Sequence, residues 1–360
     1  MTMPRNQLVD VSVTRYCHCI SRCVRRAFLC GEGFEHRKQW IEDRLQTLSG
    51  CFAVSVCGFA VMDNHLHVLV RLDADAANSW SAEDVVRRWI TAYPPKSATG
   101  EEIEVSQVWI EQHVKDEPRV AVLRGRLASL GWFMKALKEP LARLANKEDQ
   151  CQGTFWESRY KSIAILDDEA LLATCAYIDL NPLAAGLTAT PETSPHTSVA
   201  QRVQHAQAKG ELETLKAAAA GSVAGSRAAG DVEEDLWLCP LEDRRRLGGR
   251  REGLREGFSL GSYLLLIRRP PCTRLVRRRA CWASESSSRD RAGPSPSSSA
   301  SSGRPDRPQN TWLPGSVPAV GTRPPRSGCP GGGMPGPIPH QGQGDGTARP
   351  SRRPSPRCTR

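Results

Sequence analysis

Two histidines separated by one residue, His65 and His67 in "MDNHLHVLV", are the side chains whose type and spacing most directly suggest chemistry. They lie in an alternating apolar run, and on a β-strand residues two apart point to the same face. His65, His67 and Leu69 therefore share one side, and Leu66, Val68 and Val70 the other. Neutral imidazoles presented side by side ligate divalent metals, but two ligands do not make a site. Two ordinary histidines on one face of a sheet satisfy the same pattern, so the motif alone leaves both readings open.

A second candidate lies in "DDEALLATCAYIDLNPLAAGL". The spacing predicts a helix with Asp167 or Asp168 as N-cap and Pro182 close to its end. At ~100° per residue, Tyr177 and Asn181 fall roughly 40° apart. Ala170, Ala173 and Thr174 complete that face, small residues that leave room for a ligand. Leu171, Cys175 and Ile178 form a separate stripe that faces a core. The bland alternative is a tyrosine at the core's edge and an asparagine that ends the helix.

Other groups compete for attention. In "CHCISRC", Cys17, His18, Cys19 and Cys23 suggest zinc, yet no second half-site follows, and small buried thiols on a strand fit as well. Tyr160 in "SRYKS" is a rival nucleophile without a ligand-type partner one turn away. Arg159 and Lys161 suit phosphate contacts, and Trp156 suits stacking on an unpaired base or, equally, a core. Arg22, with Arg25 and Arg26, forms a further basic patch, a pattern that also describes an ordinary solvated surface.

The elements that must position these groups follow from periodicity. Residues 11 to 23 read as a strand, "EHRKQWIEDRLQTLSG" as a helix ending at Gly50, and "CFAVSVCGFAV" and "HLHVLVRL" as strands joined by the turn residues "MDN". A helix follows around "AEDVVRRWI", then a polar, acidic stretch. "LRGRLASLGWFMKALKEPLARLANKE" has helical period, with a kink or break expected at Pro140. Residues 201–232 are rich in Ala and Gly and read as a linker, residues 233–267 as a short accessory region in which "GSYLLLI" looks like an apolar strand.

The chain has 360 residues and a formal charge of +10, but that charge is not spread evenly. From Arg268 onward there are 17 arginines, no lysine and only four acids, so the basicity belongs to the tail. Residues 268–360, dominated by Ser, Pro, Gly and Arg, are expected to be disordered. They are either an Arg-rich nucleic-acid arm or the product of a reading-frame change near Leu266; the absence of lysine favours the second. No signal pattern opens the chain, and the 13 cysteines lack regular spacing, which favours a reducing, cytoplasmic setting. The longest apolar run, about twelve residues, falls short of the ~20 needed to span a bilayer.

Four segments taken in order, "RYCHCISRCVRRAF", "MDNHLHVLV", "GTFWESRYKS" and "AYIDLNPLAAGL", resemble the HUH endonucleases, and within them the REP-associated branch of the single-tyrosine transposases. The resemblance covers residues 10–200, and in a longer subgroup continues through "LWLCPLEDRRR" and "EGFSLGSYLLL". It implies an α+β fold, an antiparallel sheet flanked by helices in the ferredoxin-like or RRM-like manner. It also implies His65, His67 and Asn181 as ligands of Mg²⁺ or Mn²⁺, and Tyr177 as the nucleophile that cleaves and rejoins single-stranded or hairpin DNA through a 5′-phosphotyrosine. Arg22, Trp156, Arg159 and Lys161 would then contact DNA. The resemblance leaves monomer and homodimer both open. A hairpin-binding regulator that no longer cuts and a hydrolase in which water attacks are the alternative functions.

Overall fold

Period-two alternation in "YCHCISR" is realised as β1, Tyr16–Arg22, in a computed structural model that describes residues 10–220, 222 and 232–268. After α1, His36–Cys51, come β2, Val54–Val61, and β3, His65–Leu72. Asp63 and Asn64 turn the chain between the last two, and the Met62 N–H donates to the His65 carbonyl at 2.8 Å. Five helices separate β3 from β4: α2, Ala74–Asn78; α3, Ala82–Ala92; α4, Gln107–Val114; α5, Glu117–Leu127; and α6, Leu130–Glu148. Strand β4, Lys161–Ile165, leads into α7, Asp168–Asp179, and the short α8, Asn181–Ala184. Then follow α9, Ser198–Ala208, α10, Leu212–Ala219, and α11, Leu260–Arg268.

The sheet order is β2-β3-β1-β4, with every neighbouring pair antiparallel. Inserting β3 between β1 and β2 makes the latter two parallel, the split β-α-β arrangement of ferredoxin-like folds. The expected α+β architecture, an antiparallel sheet flanked by helices, is what the chain adopts.

Both faces of the sheet are covered, and alternation sorts the side chains between them. Cys17, Cys19, Phe59, Leu66, Val68 and Val70 pack with α1 and α6 in a first core. On the other face, Ala60, Leu69 and Ile165 pack with Leu171, Cys175 and Ile178 of α7 in a second. At ~25 cal/mol per Å² of buried apolar surface, neither face could be left to water without a large loss of stability.

Several local expectations change. The helical run expected over residues 123–148 breaks at Ala128 and Ser129, where the Ser129 backbone is extended (φ −99°, ψ 123°), and not at Pro140. Helix α6 runs through Pro140 as one element. The proline has no N–H for the Ala136 carbonyl, and Arg44 of α1 donates its Nε to that oxygen at 3.2 Å instead. Gly50 lies inside α1, which ends at Cys51 when Phe52 turns extended. The stretch expected as an apolar strand at "GSYLLLI" is helix α11. Residues expected as a linker include most of α9 and all of α10, and Val199, Ala206 and Leu215 are buried in the second core. The Arg-rich tail past residue 268 lies outside the described residues.

Asp167, extended, caps α7 by accepting from the Ala170 N–H at 2.7 Å. At the other end of α7, Asp179 is 2 % exposed and accepts from Ser198 Oγ at 2.7 Å, the Val199 N–H at 3.0 Å and Tyr263 Oη at 2.5 Å. Ser198 Oγ in turn accepts from the Phe59 N–H of β2 at 3.0 Å. One carboxylate thus joins α7, α9, α11 and, through Ser198, the sheet. Asp179→Ala is expected to cost about 3 kcal/mol or more, because three donors lose a buried acceptor, whereas Tyr263→Phe removes one hydrogen bond and costs about 1–2 kcal/mol. Urea unfolding of the two variants measures both.

Candidate active site

The β1–β3 register sets Ile20 opposite His67 and Arg22 opposite His65, so all four point to the face that meets α7. His18, two residues before Ile20, therefore stands diagonally beside His67 on that face. His18 Nε2 and His67 Nδ1 are 2.9 Å apart, and their rings stack with centroids 5.1 Å apart. From α7, the Tyr177 ring meets His67 edge-on at 5.6 Å and His18 at 6.2 Å. Leu180 keeps helical angles (φ −86°, ψ −4°), so Asn181 stays about a turn beyond Tyr177 although it opens α8. Its Nδ2 lies 3.4 Å from His67 Nε2, and the same amide is within hydrogen-bond reach of His65.

Hydrogen-bond chemistry then assigns the protons. An amide nitrogen can only donate, so His67 Nε2 accepts, and the neutral ring carries its proton on Nδ1 and donates it to His18 Nε2. On His65, Nδ1 donates to Asn64 Oδ1 at 2.6 Å, which leaves Nε2 as the lone-pair nitrogen. Burial holds all three rings neutral. It lowers His18 to about 4 and, with the nearby Arg22 charge, His65 to about 4. His67, 3 % exposed, is driven well below the usual imidazole range by burial first, and by the repulsion that a proton on it would meet from Arg22 and from any proton on His65 or His18.

This donor set fits a divalent cation. Two neutral imidazoles and an amide meet at one place, and each imidazole has its Nδ1 tied to a partner, the outer-sphere arrangement that orients metal-binding histidines; the Asn181 amide, whose nitrogen faces His67 Nε2 here, would turn to offer Oδ1 to a cation. Among the described residues no group of three or more His, Cys, Asp and Glu side chains gathers to hold a metal; the further polar side chain that meets His67 here is the Asn181 amide. His18 spends its Nε2 on His67 and serves as the orienting partner. Tyr177 Oη makes no hydrogen bond to a described residue, and the tyrosine is only partly buried at the side of this cluster.

The other candidates divide. Arg22 and Lys161 are exposed on the histidine face, Lys161 opposite Ile20, and Arg159 is exposed nearby in sequence. Trp156 takes the core alternative: it is 9 % exposed in the first core, its Nε1 donates to the Lys138 carbonyl at 3.0 Å, and it is not a stacking platform for a base. Tyr160 is buried in the same core, away from the histidine face. The "CHCISRC" cluster is split by alternation, since Cys17 and Cys19 enter the first core while His18 points to the opposite face. Sequence reasoning missed His18, which it grouped with those cysteines, and Asp179. The period of β1 already put His18 on one side with Ile20 and Arg22, but only the pairing with β3 brings it to His67.

No family model and no curated protein matches the chain. Among solved structures it is similar to "Structure of the REP associates tyrosine transposase bound to a REP hairpin", over 52 % of this chain and 78 % of that one, with 11 % identity and a TM-score of 0.28. The likeness is a distant one.

Replacing His18 with Phe leaves the His67 Nδ1–H without an acceptor, and Mn²⁺ affinity is expected to fall about 10–100-fold with the far-UV spectrum retained; titration calorimetry reads it. The histidines also make stability depend on pH. Unfolded imidazoles take protons near 6.5, whereas folded His18 and His65 refuse them until about 4. In chelator, the unfolding free energy is therefore expected to be full above about pH 6.5 and to drop as the pH falls toward 4, more steeply than in His18→Phe.

Proposed function

We propose that the protein is a divalent-metal-dependent, single-tyrosine DNA nicking and joining enzyme, a transposase in reaction type. Its substrate is single-stranded or hairpin-bearing DNA. The observation that carries this reading is the meeting of His65, His67 and Asn181 beside Tyr177, one partly open hydroxyl next to three metal-type donors. A nucleophile that persists as a covalent intermediate separates strand cleavage from strand joining, so no external energy source is needed.

His65, His67 and Asn181 would hold Mg²⁺ or Mn²⁺, which when bound polarises a non-bridging phosphate oxygen and stabilises charge on the departing 3′ oxygen. Tyr177 Oη attacks phosphorus, the bond from phosphorus to the 3′ oxygen breaks, and the proton lost by the phenol ends on the new 3′-hydroxyl. Attack by a second 3′-hydroxyl on the phosphotyrosine reverses these changes on a different strand. Helix α7, pinned at Asp179, keeps the tyrosine in place through both steps. Arg22 and Lys161 on the same face supply phosphate contacts that orient the strand.

Labelled hairpin-bearing single-stranded DNA, incubated with Mn²⁺ and run on a denaturing gel, tests the reading. The expected result is a covalent protein–DNA band that is lost in Tyr177→Phe and reduced at least 100-fold in His67→Ala. Binding without cleavage would leave a regulator, and cleavage that survives Tyr177→Phe would make water the nucleophile.

A further inference from the structure

Between β1 and α1 the chain makes a loop whose two ends are pinned to one turn. The Cys23 N–H donates to the Asn64 carbonyl and the Cys30 N–H to the Asp63 carbonyl, each at 2.8 Å. Adjacent carbonyls of the β2–β3 turn thus bring residues from opposite ends of the loop side by side. Their side chains enter the first core at 1 % and 2 % exposure, both as free thiols, and Cys23 Sγ is in hydrogen-bond contact with Cys30 Sγ. Packing alone asks for small apolar groups here, not for two sulfurs against each other.

The surroundings make the two thiols unequal. The buried Arg37 guanidinium donates Nη1 to the Leu29 carbonyl at 2.9 Å, and Lys38 Nζ pairs with Asp63 at 2.6 Å. The hydrogen bond from Cys23, then the charges of Arg37 and Lys38, hold the Cys30 thiol below its usual range, although burial and Asp63 oppose them. The same hydrogen bond, with burial, pushes Cys23 up. Cys30 is therefore the nucleophile of the pair and Cys23 the thiol that follows. The segment that closes over them is exposed at Arg25, Arg26 and Phe28, and Arg25 and Arg26 have left-handed backbones (φ 53° and 56°). Such angles are costly for residues that carry a side chain, so they favour local opening, and opening gives a small reagent access to Cys30.

We infer that Cys23 and Cys30 are a redox couple, a dithiol that exchanges with a small-molecule disulfide of the glutathione type and, once oxidised, latches the loop onto the β2–β3 turn. The Cys30 thiolate attacks one sulfur of oxidised glutathione and expels a glutathione thiolate. Cys23, deprotonated in turn, attacks the Cys30 sulfur of the mixed disulfide and expels the second. The protein gives up two electrons, and the two protons of its thiols end on the two glutathione thiols. The latch reaches the histidine cluster through Asn64, whose Nδ2 donates to the Arg26 carbonyl at 3.2 Å while its Oδ1 accepts from His65 Nδ1 at 2.6 Å. The inference does not rest on the proposed chemistry.

The full chain, equilibrated with stepped ratios of reduced to oxidised glutathione, acid-quenched and digested with trypsin without reductant, tests it by mass spectrometry. The expected product is residues 23–25 joined to residues 27–37, lighter than their sum by two hydrogens. It should grow with the oxidised share and vanish on return to reduced glutathione. In Cys23→Ser, Cys30 is expected to retain glutathione as a mixed disulfide, whereas in Cys30→Ser, Cys23 stays unmodified. Latching is also expected to slow hydrogen exchange at the Cys23 and Cys30 amides about 10-fold or more, because the cross-link removes open states of the loop. Thiols that stay reduced at every ratio overturn the inference. So does Cys30 joined to a different cysteine, or a linked loop whose amides exchange as before. The wild-type digest decides this by itself should either variant fail to fold.

Discussion

A carboxylate with almost no access to water cannot be left without partners, because an unpaired buried charge costs several kcal/mol. Asp179 meets that constraint by drawing donors from three directions, Ser198, Val199 and Tyr263. Burial pushes its pKa up, while the three hydrogen bonds favour the ionised form. What looks like local satisfaction has long reach in the chain. Tyr263 is 84 residues away in sequence, so a segment that reads as an accessory ends up closing the helix that carries Tyr177. Asp179 thereby ties down the C-terminal end of the helix that carries that tyrosine.

The sheet supplies the other half of the arrangement. Leu66, Val68 and Val70 are committed to the first core, which leaves His65 and His67 no choice of side. On their side, α7 packs Leu171, Cys175 and Ile178 on Leu69 and Ile165 and brings Tyr177 against the rings of His67 and His18. A register slip of one residue would send the histidines into the first core, at the cost of unpaired imidazoles and a hydrophobic row lost to the polar face. The site is therefore protected by the same packing that makes the fold stable. The buried Arg202, held by Glu233 and the carbonyls of Cys57 and Cys239, ties the region after residue 232 to β2 in the same manner. Treating residues 10–200 as separable from residues 233–267 would cut through both networks.

Much of this was legible from the residues. Alternation identified the two faces of β3, and helical spacing an N-cap at Asp167 or Asp168 and the Tyr177/Asn181 face. The misreadings share a cause. Pro140 was expected to interrupt a helix because the rescue of its orphaned carbonyl by Arg44 comes from another element. Trp156 was expected to offer a ring to DNA because an indole beside basic residues reads the same whether buried or bare, and burial is a property of what packs on top. The Ala-rich segment looked like a linker because helices of small residues carry little hydrophobic signal of their own.

By itself, then, the sequence determined which side of each strand and helix a residue occupies, since periods of 2.0 and 3.6 follow from backbone geometry alone. It thereby determined that His65 goes with His67, Tyr177 with Asn181, and His18 with Ile20. Only the tertiary structure decided that these three pairs belong to one another. Strand register, the pinning of α7 by Asp179 and the closing of α11 over it depend on contacts between residues far apart in the chain, and no local period encodes those.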